Sequence, residues 1–233
     1  MGVTNVQLAE GREATIVRLG SPSGRPVLYF HSPASSGEEL NGAAEEAARE
    51  LGIELLTIVR HSLAAHDSTS CFMATVASDT DLLVKALGLE WVAVLGWSAG
   101  APYALAASER LGPVVAAVRL VSPLPGPLIG PDAAPHQSER LQQIATTSPT
   151  SSWVAAPGAL RDYMAVVAPW PFDVHSVVQP VTIWAPTEDD IVPPRLVDHL
   201  ARQLPHAETN NVPGSHEWIL RNWSTVLGRI ATP

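Results

Sequence analysis

The stretch Gly96-Trp97-Ser98-Ala99-Gly100, near the middle of the chain, decides the fold. A short apolar run before it predicts a buried strand, and an Ala-rich run after it predicts a helix. The stretch is therefore a Gly-x-Ser-x-Gly pattern at a strand-to-helix turn, which is the context of a nucleophilic serine. The two glycines let strand and helix approach closely, and the helix N-terminus favours negative charge at Ser98. Serine is also a common helix N-cap, but the flanking glycines favour the nucleophile.

Outward from this turn, short apolar strands alternate with helices. Strands are predicted at 26–31, 53–59, 91–95 and 114–121, and helices at 37–51, 75–87 and 99–111. This alternation is typical of parallel strand–helix–strand units, with helices covering both faces of the sheet. Two further runs, 6–8 and 14–19, flank the turn-forming pair Glu10-Gly11 and predict an N-terminal hairpin.

The alternation stops near Ser122, and residues 123–172 are rich in Pro, Gly, Ser and Thr. It resumes with a strand at 181–184, a helix at 194–204, a strand at 207–212 and a last helix at 216–230. A structureless connection as long as 123–172 is rare inside a compact domain unless it forms a lid or binding element. We therefore predict a single domain over residues 1–233, with 123–172 as a small cap inserted in it and holding two short helices.

The loop after the strand at 181–184 carries the candidate acid. In proteins with this serine turn, the chain order is serine, then an acid, then histidine. Asp189 is the preferred candidate because it lies four residues before Pro193, which leads into the next helix. Asp190 is the rival. A loop aspartate without a catalytic role usually caps a helix or is solvated.

The candidate base is His216, which follows the last predicted strand. From this position it can reach Ser98 as a general base, while Asp189 fixes its tautomer. The remaining candidates are on a charged helix, in polar stretches, or ahead of the acid in the chain: His199, His136, His206 and His175. Position relative to Ser98 and Asp189 therefore selects His216.

Residues 92–107, Val-Ala-Val-Leu-Gly-Trp-Ser-Ala-Gly-Ala-Pro-Tyr-Ala-Leu-Ala-Ala, resemble the α/β-hydrolase superfamily. More narrowly, they are similar to its small esterase, lactonase and lyase-type members with modest caps. The resemblance covers nearly the whole chain. It implies an α/β fold with a mostly parallel, eight-stranded sheet and the triad Ser98, Asp189 and His216. It does not supply a substrate.

The loop after the first central strand departs from the superfamily pattern. Members usually have His-Gly there, and the backbone N–H of the following residue helps to bind the oxyanion. Here the stretch is His31-Ser32-Pro33-Ala34-Ser35, which places Pro33, a residue without an N–H, at the donor position. The Ala99 N–H supplies one donor. The second donor is expected to be the Ala34 N–H, through a shifted loop, or a hydroxyl of Ser32 or Ser35. The third option is that no group replaces it, and the loss of one donor typically lowers the rate by about 10²–10³-fold.

A second departure follows the strand at 53–59. Relatives often have Asp-Arg-Pro-Gly there, whereas this chain has Val59-Arg60-His61-Ser62. The loop borders the expected mouth of the site. It is either adapted to a particular substrate or a surface loop that has drifted.

Seven tryptophans raise the question of an aromatic substrate pocket. Trp97 adjoins the nucleophile, Trp218 follows the base, and Trp153 and Trp170 lie in the predicted cap. With His31 and Ser32 they form the candidate pocket, which would suit a flat or aromatic acyl group. The alternative is ordinary core packing, which we favour for the strand residues Trp91 and Trp184.

Composition narrows the remaining classes of function. The 233 residues are 46% hydrophobic and 16% charged, as in a globular domain with a large core. A net charge of −9 without a Lys/Arg cluster argues against a nucleic-acid partner. The single cysteine, Cys71, excludes an internal disulfide, and no metal, nucleotide or flavin motif is found, so no cofactor is expected. No membrane-spanning run or signal sequence is found, so the cytoplasm is the expected location.

The first hypothesis for function is a serine enzyme that transfers acyl groups. Ser98 would form an acyl-enzyme from a small ester, thioester or lactone, and water would release the acyl group. The second is transfer from a thioester on an acyl carrier protein to an acceptor other than water, within a biosynthetic pathway. The third is a binding protein without activity on a hydrolase fold, which the proline at position 33 supports. Lyase or cofactor-free oxygenase chemistry on the same fold is a fourth.

Overall fold

The computed structural model describes residues 2–32, 39–40, 42–60, 72–129, 159–228 and 230. In this part of the chain, eight strands form one sheet. They are β1 (Gly2–Gln7), β2 (Glu13–Gly20), β3 (Arg25–Phe30), β4 (Ile53–Ile58), β5 (Val92–Trp97), β6 (Val115–Val121), β7 (Val181–Pro186) and β8 (Ala207–Val212).

Helices connect most of these strands. The described α-helices are α1 (Gly42–Glu50), α2 (Phe72–Ala86), α3 (Ala101–Leu111), α4 (Ala159–Val167), α5 (Pro194–Ala201) and α6 (Trp223–Gly228). Short 3-10 turns precede two of them, Ser98–Gly100 before α3 and Trp218–Arg221 before α6. The described helices contain no segment that could cross a bilayer, and the longest has 15 residues.

The strand order in the sheet is β1-β2-β4-β3-β5-β6-β7-β8. Strand β2 pairs antiparallel with both β1 and β4, and every other pairing is parallel. The predicted mostly parallel sheet with an N-terminal hairpin is therefore confirmed. Because β5, β6, β7 and β8 are parallel neighbours, the loops that follow them meet at one edge of the sheet.

Apolar side chains cover both faces of the sheet. Strand β5 is buried along its whole length, since it lies in the middle of the sheet. Its alternate residues enter two separate cores, because successive side chains of a strand point to opposite faces. Val92 and Val94 pack with residues of α2, α3 and α5, whereas Ala93 and Leu95 pack with α1 and α6. This confirms the prediction of helices on both faces.

Two element boundaries differ from the sequence prediction. Strand β5 extends through Trp97 rather than ending at residue 95, so the turn at Ser98 is tighter than expected. The predicted last helix over 216–230 is shorter, and His216 lies ahead of it in a loop. The 3-10 turn ends at Arg221, and α6 begins at Trp223. Between them lies Asn222, whose side-chain amide donates to the Trp218 carbonyl at 2.7 Å.

The predicted cap over residues 123–172 is described at its two ends. A 3-10 turn spans Gly126–Ile129, and α4 spans Ala159–Val167. The middle of this segment lies outside the described residues. Helix α4 packs against the domain through the buried side chains of Ala165 and Val166, which join the core on the α2 and α3 side. The cap as a unit stays a prediction.

Candidate active site

Ser98 occupies a strained turn at the carboxyl end of β5. Its φ of 54° is in the left-handed region that serine rarely adopts. The flanking glycines have no space for a side chain. A Cβ at Gly96 would lie 2.7 Å from the Ala101 Cα, and one at Gly100 would lie 2.0 Å from the Phe30 carbonyl oxygen. The glycines are thus required by two close contacts, of the end of β5 with α3 and of the 3-10 turn with the end of β3. The turn between them projects Ser98 at the sheet edge.

His216 lies beside this serine. It follows β8 in a loop where Gly214 has a φ of 127°, a conformation suited to glycine. Its Nε2 is 2.9 Å from the Ser98 Oγ, which is hydrogen-bonding distance for a base that accepts the hydroxyl proton. The imidazole is nearly buried, with 8% of the residue exposed.

Asp189 completes the arrangement from the loop after β7. Its Oδ2 accepts a hydrogen bond from the Nδ1–H of His216 at 2.9 Å. Its Oδ1 accepts from the backbone N–H of Ile191 at 3.0 Å and of Val192 at 2.7 Å. These bonds leave the carboxylate fixed in position. Asp190, the rival candidate, is exposed.

The environment keeps Asp189 ionised. Burial of its carboxyl, the largest effect, disfavours the charge. The hydrogen bond and the electrostatic attraction between His216 and the carboxylate act in the opposite direction, as do hydrogen bonds from the Val192 N–H and the nearby Ser122 hydroxyl. The net result is a pKa for Asp189 below its ordinary value. In a serine triad, an ionised carboxylate at this place holds the histidine proton on Nδ1 and leaves Nε2 to accept the serine proton.

The oxyanion donors are only partly described. Ala99 follows Ser98 in the 3-10 turn and is buried, so its N–H lies at the start of a helical segment. Such N–H groups lack partners within their own helix and are suited to bind an oxyanion. Pro33 and Ala34, the residues of the predicted second donor position, lie outside the described residues. In the backbone just ahead of them, the His31 Nδ1–H donates to the Ser32 carbonyl at 2.6 Å.

The candidate pocket residues have diverse surroundings. Trp97 packs in the core beneath His216, with ring centroids 5.7 Å apart. Trp218 stacks on Trp184 with ring centroids 6.5 Å apart. Trp170 stacks on Phe172 at 5.3 Å and donates its indole N–H to the Val166 carbonyl. His31 is buried, Ser32 is half-buried, and Trp153 lies outside the described residues. An aromatic pocket formed by these residues stays a prediction.

Sequence reasoning missed a buried polar cluster next to the site. Arg60, which follows β4, donates through Nε and Nη2 to the Asp162 carboxylate of α4 at 3.0 and 2.8 Å. It also donates to the His31 carbonyl at 2.7 Å and lies over the Tyr103 ring, 4.4 Å from its centroid. In the sequence Arg60 is only part of an unusual loop, because its partner lies 102 residues further along the chain.

Three solved structures illustrate the similarity of this chain to known proteins. An esterase from Exiguobacterium antarcticum has a TM-score of 0.75 and 15% identity, over 98% of this chain and 97% of that chain. The enol-lactonase from Burkholderia xenovorans LB400 has a TM-score of 0.72 and 12% identity, over 97% and 98%. A thermophilic esterase from Thermogutta terrifontis has a TM-score of 0.68 and 17% identity, over 99% and 97%.

No protein-family model and no curated protein sequence matches the chain. At identities of 12–17%, the solved structures establish a shared fold. The agreement extends over almost the full length of each chain, and the sheet order and the Ser98 turn fit the same architecture. The chain therefore has the α/β-hydrolase fold, as its resemblance to that superfamily implied.

Proposed function

We propose that this protein is a serine hydrolase that cleaves a small ester or thioester through an acyl-Ser98 intermediate. The observation that carries the proposal is the continuous chain of two 2.9 Å hydrogen bonds from Ser98 through His216 to Asp189. A nucleophile, a base and a group that orients the base are the parts that acyl transfer requires. The esterases and the enol-lactonase that share the fold support ester cleavage.

In the first half-reaction, the Ser98 Oγ attacks the substrate carbonyl carbon. Nε2 of His216 takes the hydroxyl proton, and the carbonyl oxygen becomes an oxyanion that faces the Ala99 N–H. The tetrahedral intermediate then collapses. The bond to the alcohol or thiol breaks, and His216 gives its proton to that leaving group.

In the second half-reaction, water attacks the acyl-enzyme. His216 accepts a proton from the water and returns it to the Ser98 Oγ as the acid product leaves. The substrate in this proposal is a small molecule, with flat or aromatic acyl groups among those to be screened. Transfer from an acyl carrier protein to another acceptor proceeds through the same acyl-enzyme, and it differs only in which nucleophile enters the second step.

Turnover of p-nitrophenyl acetate and of an N-acetylcysteamine acyl-thioester tests the proposal. The wild-type protein should hydrolyse at least one of them, and Ser98→Ala should lower kcat by about 10⁴-fold or more. Ser108→Ala is a matched control, because Ser108 is buried in α3 and its hydroxyl donates to the Ala104 carbonyl of the same helix. It should retain wild-type activity.

The same assay separates the alternatives. An acyl-enzyme that forms rapidly, hydrolyses slowly and is released by added alcohols or amines would favour an acyltransferase. Wild-type and Ser98→Ala proteins that are equally inactive, in the presence of intact folding, would favour a binding protein. Equal activity in both would contradict the serine mechanism.

A further inference from the structure

Trp97 connects β5, the strand that leads to Ser98, with the backbone of His216. It is the last residue of β5 and directly precedes Ser98. The residue is 9% exposed, and its side chain packs in the core on the α1 and α6 side of the sheet. The indole N–H donates to the backbone carbonyl of His216 at 3.2 Å, and this contact is buried. The indole also lies under the imidazole, with the two rings inclined by 33°.

Two backbone hydrogen bonds also hold the His216 loop in the described part of the chain. The Glu188 N–H donates to the Gly214 carbonyl at 2.9 Å, and the Trp218 N–H donates to the Ser215 carbonyl at 3.0 Å. Gly214 is in a conformation with positive φ, so the loop turns sharply just ahead of the base. The Trp97 indole adds a side-chain hydrogen bond from the end of a central strand to the backbone of this loop.

This contact bears on the distance that catalysis requires. A general base must lie within roughly 2.6–3.2 Å of the proton that it accepts. Asp189 fixes the imidazole from its Nδ1 side, and Trp97 fixes the backbone that carries it. Because Trp97 and Ser98 are covalently joined, the same strand end positions both the nucleophile and the base.

We infer that Trp97 is a positioning residue, which keeps His216 in register with Ser98 through the indole-to-carbonyl hydrogen bond. The inference rests on the proposed serine mechanism. Loss of the indole N–H would leave the His216 carbonyl buried without its donor, so the loop would shift to find another. The Nε2-to-Oγ distance would then lengthen, and acylation of Ser98 would slow while substrate binding would not change.

Trp97→Phe removes the N–H and keeps an aromatic ring in the core. We expect the second-order rate of Ser98 labelling by a fluorophosphonate to fall about fivefold to tenfold, which is the effect of one ordinary hydrogen bond. With p-nitrophenyl acetate, kcat should fall by a similar factor and KM should stay at its wild-type value. A raised KM with unchanged labelling would instead place Trp97 in substrate binding and overturn the inference.

Trp223→Phe is the matched control. Trp223 is buried in the same core, where its ring packs edge-on to Tyr29 at 5.6 Å, and in the described part of the chain its indole nitrogen has no hydrogen-bond partner. This variant loses the same atoms without losing the bond to His216, so its labelling rate should match that of the wild type. Equal slowing of both variants would assign the effect to core packing and overturn the inference.

A second substitution keeps the test decisive if Trp97→Phe does not fold. Site-specific replacement of Trp97 by 3-benzothienylalanine puts sulfur in place of the indole N–H and preserves the size of the side chain. Slower labelling of this variant supports the positioning role, and an unchanged rate overturns it. If the wild-type protein itself is not labelled, the proposed serine mechanism fails, and the role of Trp97 fails with it.

Discussion

Asp189 is one of three side chains through which we expect the site to work. Its carboxylate holds the His216 Nδ1–H at 2.9 Å and is anchored by two backbone N–H groups. An asparagine at this position would keep the shape but would allow the imidazole to adopt the wrong tautomer, since its amide can donate to Nδ1. The equivalent change in a serine protease lowers kcat by about 10⁴-fold.

We therefore expect Asp189→Asn to lower kcat by about 10³–10⁴-fold, which steady-state kinetics measures. Asp190→Asn is the control, because Asp190 is the exposed neighbour in the same loop. It should keep wild-type kcat within about twofold, as is usual for a surface change away from the chemistry. The reverse ranking of the two variants in steady-state kinetics would transfer the orienting role to Asp190.

The lowered pKa of Asp189 also predicts a pH dependence of stability. A group with a pKa that is lower in the folded than in the unfolded protein stabilises the fold above its unfolded value of about 3.9. This contribution is lost as pH falls through the lower folded value. Below about pH 4, wild-type stability should therefore fall more steeply than that of Asp189→Asn. Urea unfolding between pH 3 and 7, roughly the range that spans this transition, measures the difference, and parallel curves would contradict it.

At the scale of elements, the turn between β5 and α3 depends on Gly100. A Cβ there would contact the Phe30 and His31 carbonyl oxygens at 2.0 and 2.6 Å, and these are backbone atoms that cannot rotate away. We expect Gly100→Ala to destabilise the fold by about 1–3 kcal/mol, or more if β3 cannot shift. The midpoint of urea unfolding gives the free energy.

Gly228→Ala is a suitable control for this change. Gly228 ends α6, a Cβ there would meet no atom of the described residues within 4 Å, and its φ is not in the positive region. Alanine is a better helix former than glycine, so this variant should be as stable as the wild type or more stable. Equal destabilisation by both substitutions would mean that the close contact at Gly100 is not what makes glycine necessary there.

The elements that sequence reasoning predicted well are those with local signals. The spacing of Gly96 and Gly100 predicts the turn correctly. Both glycines are required by close contacts, either with residues a few positions away or with the adjacent strand. The last helix was predicted too long because its apolar spacing continues through Asn222, where a side-chain hydrogen bond to the Trp218 carbonyl separates two short helical pieces. The spacing of apolar residues does not show that a side chain will compete with the helix for a backbone carbonyl.

At the scale of the whole molecule, the Arg60–Asp162 pair joins the end of β4 to α4. Both side chains are fully buried, and Arg60 also supports the His31 carbonyl. The sequence does not reveal such a long-range pair. Which side chains become buried, and which of them meet, depends on how the complete chain packs. The bond from Trp97 to His216 escaped prediction for the same reason, because a tryptophan at the end of a buried strand looks like core alone.

Removal of one partner from this buried pair should be costly. Asp162→Leu would leave the Arg60 guanidinium charged and buried, so we expect a loss of about 3–5 kcal/mol in the free energy of unfolding. The exposed pair Lys85–Asp81 is the comparison, and Lys85→Met should cost at most about 1 kcal/mol. Chemical denaturation of both variants measures the contrast. If both variants lost only about 1 kcal/mol in the free energy of unfolding, the contrast would be contradicted, and other groups would be stabilising the Arg60 charge.

The central claim is that Ser98 is activated by His216, and intact-mass analysis after incubation with a fluorophosphonate tests it most directly. The wild-type protein should gain the mass of a single phosphonyl group, with the adduct on Ser98. Ser98→Ala should gain none, and His216→Ala should react far more slowly because its serine has lost the base 2.9 Å away. An unmodified wild-type protein, or an adduct that persists in Ser98→Ala, would contradict the claim.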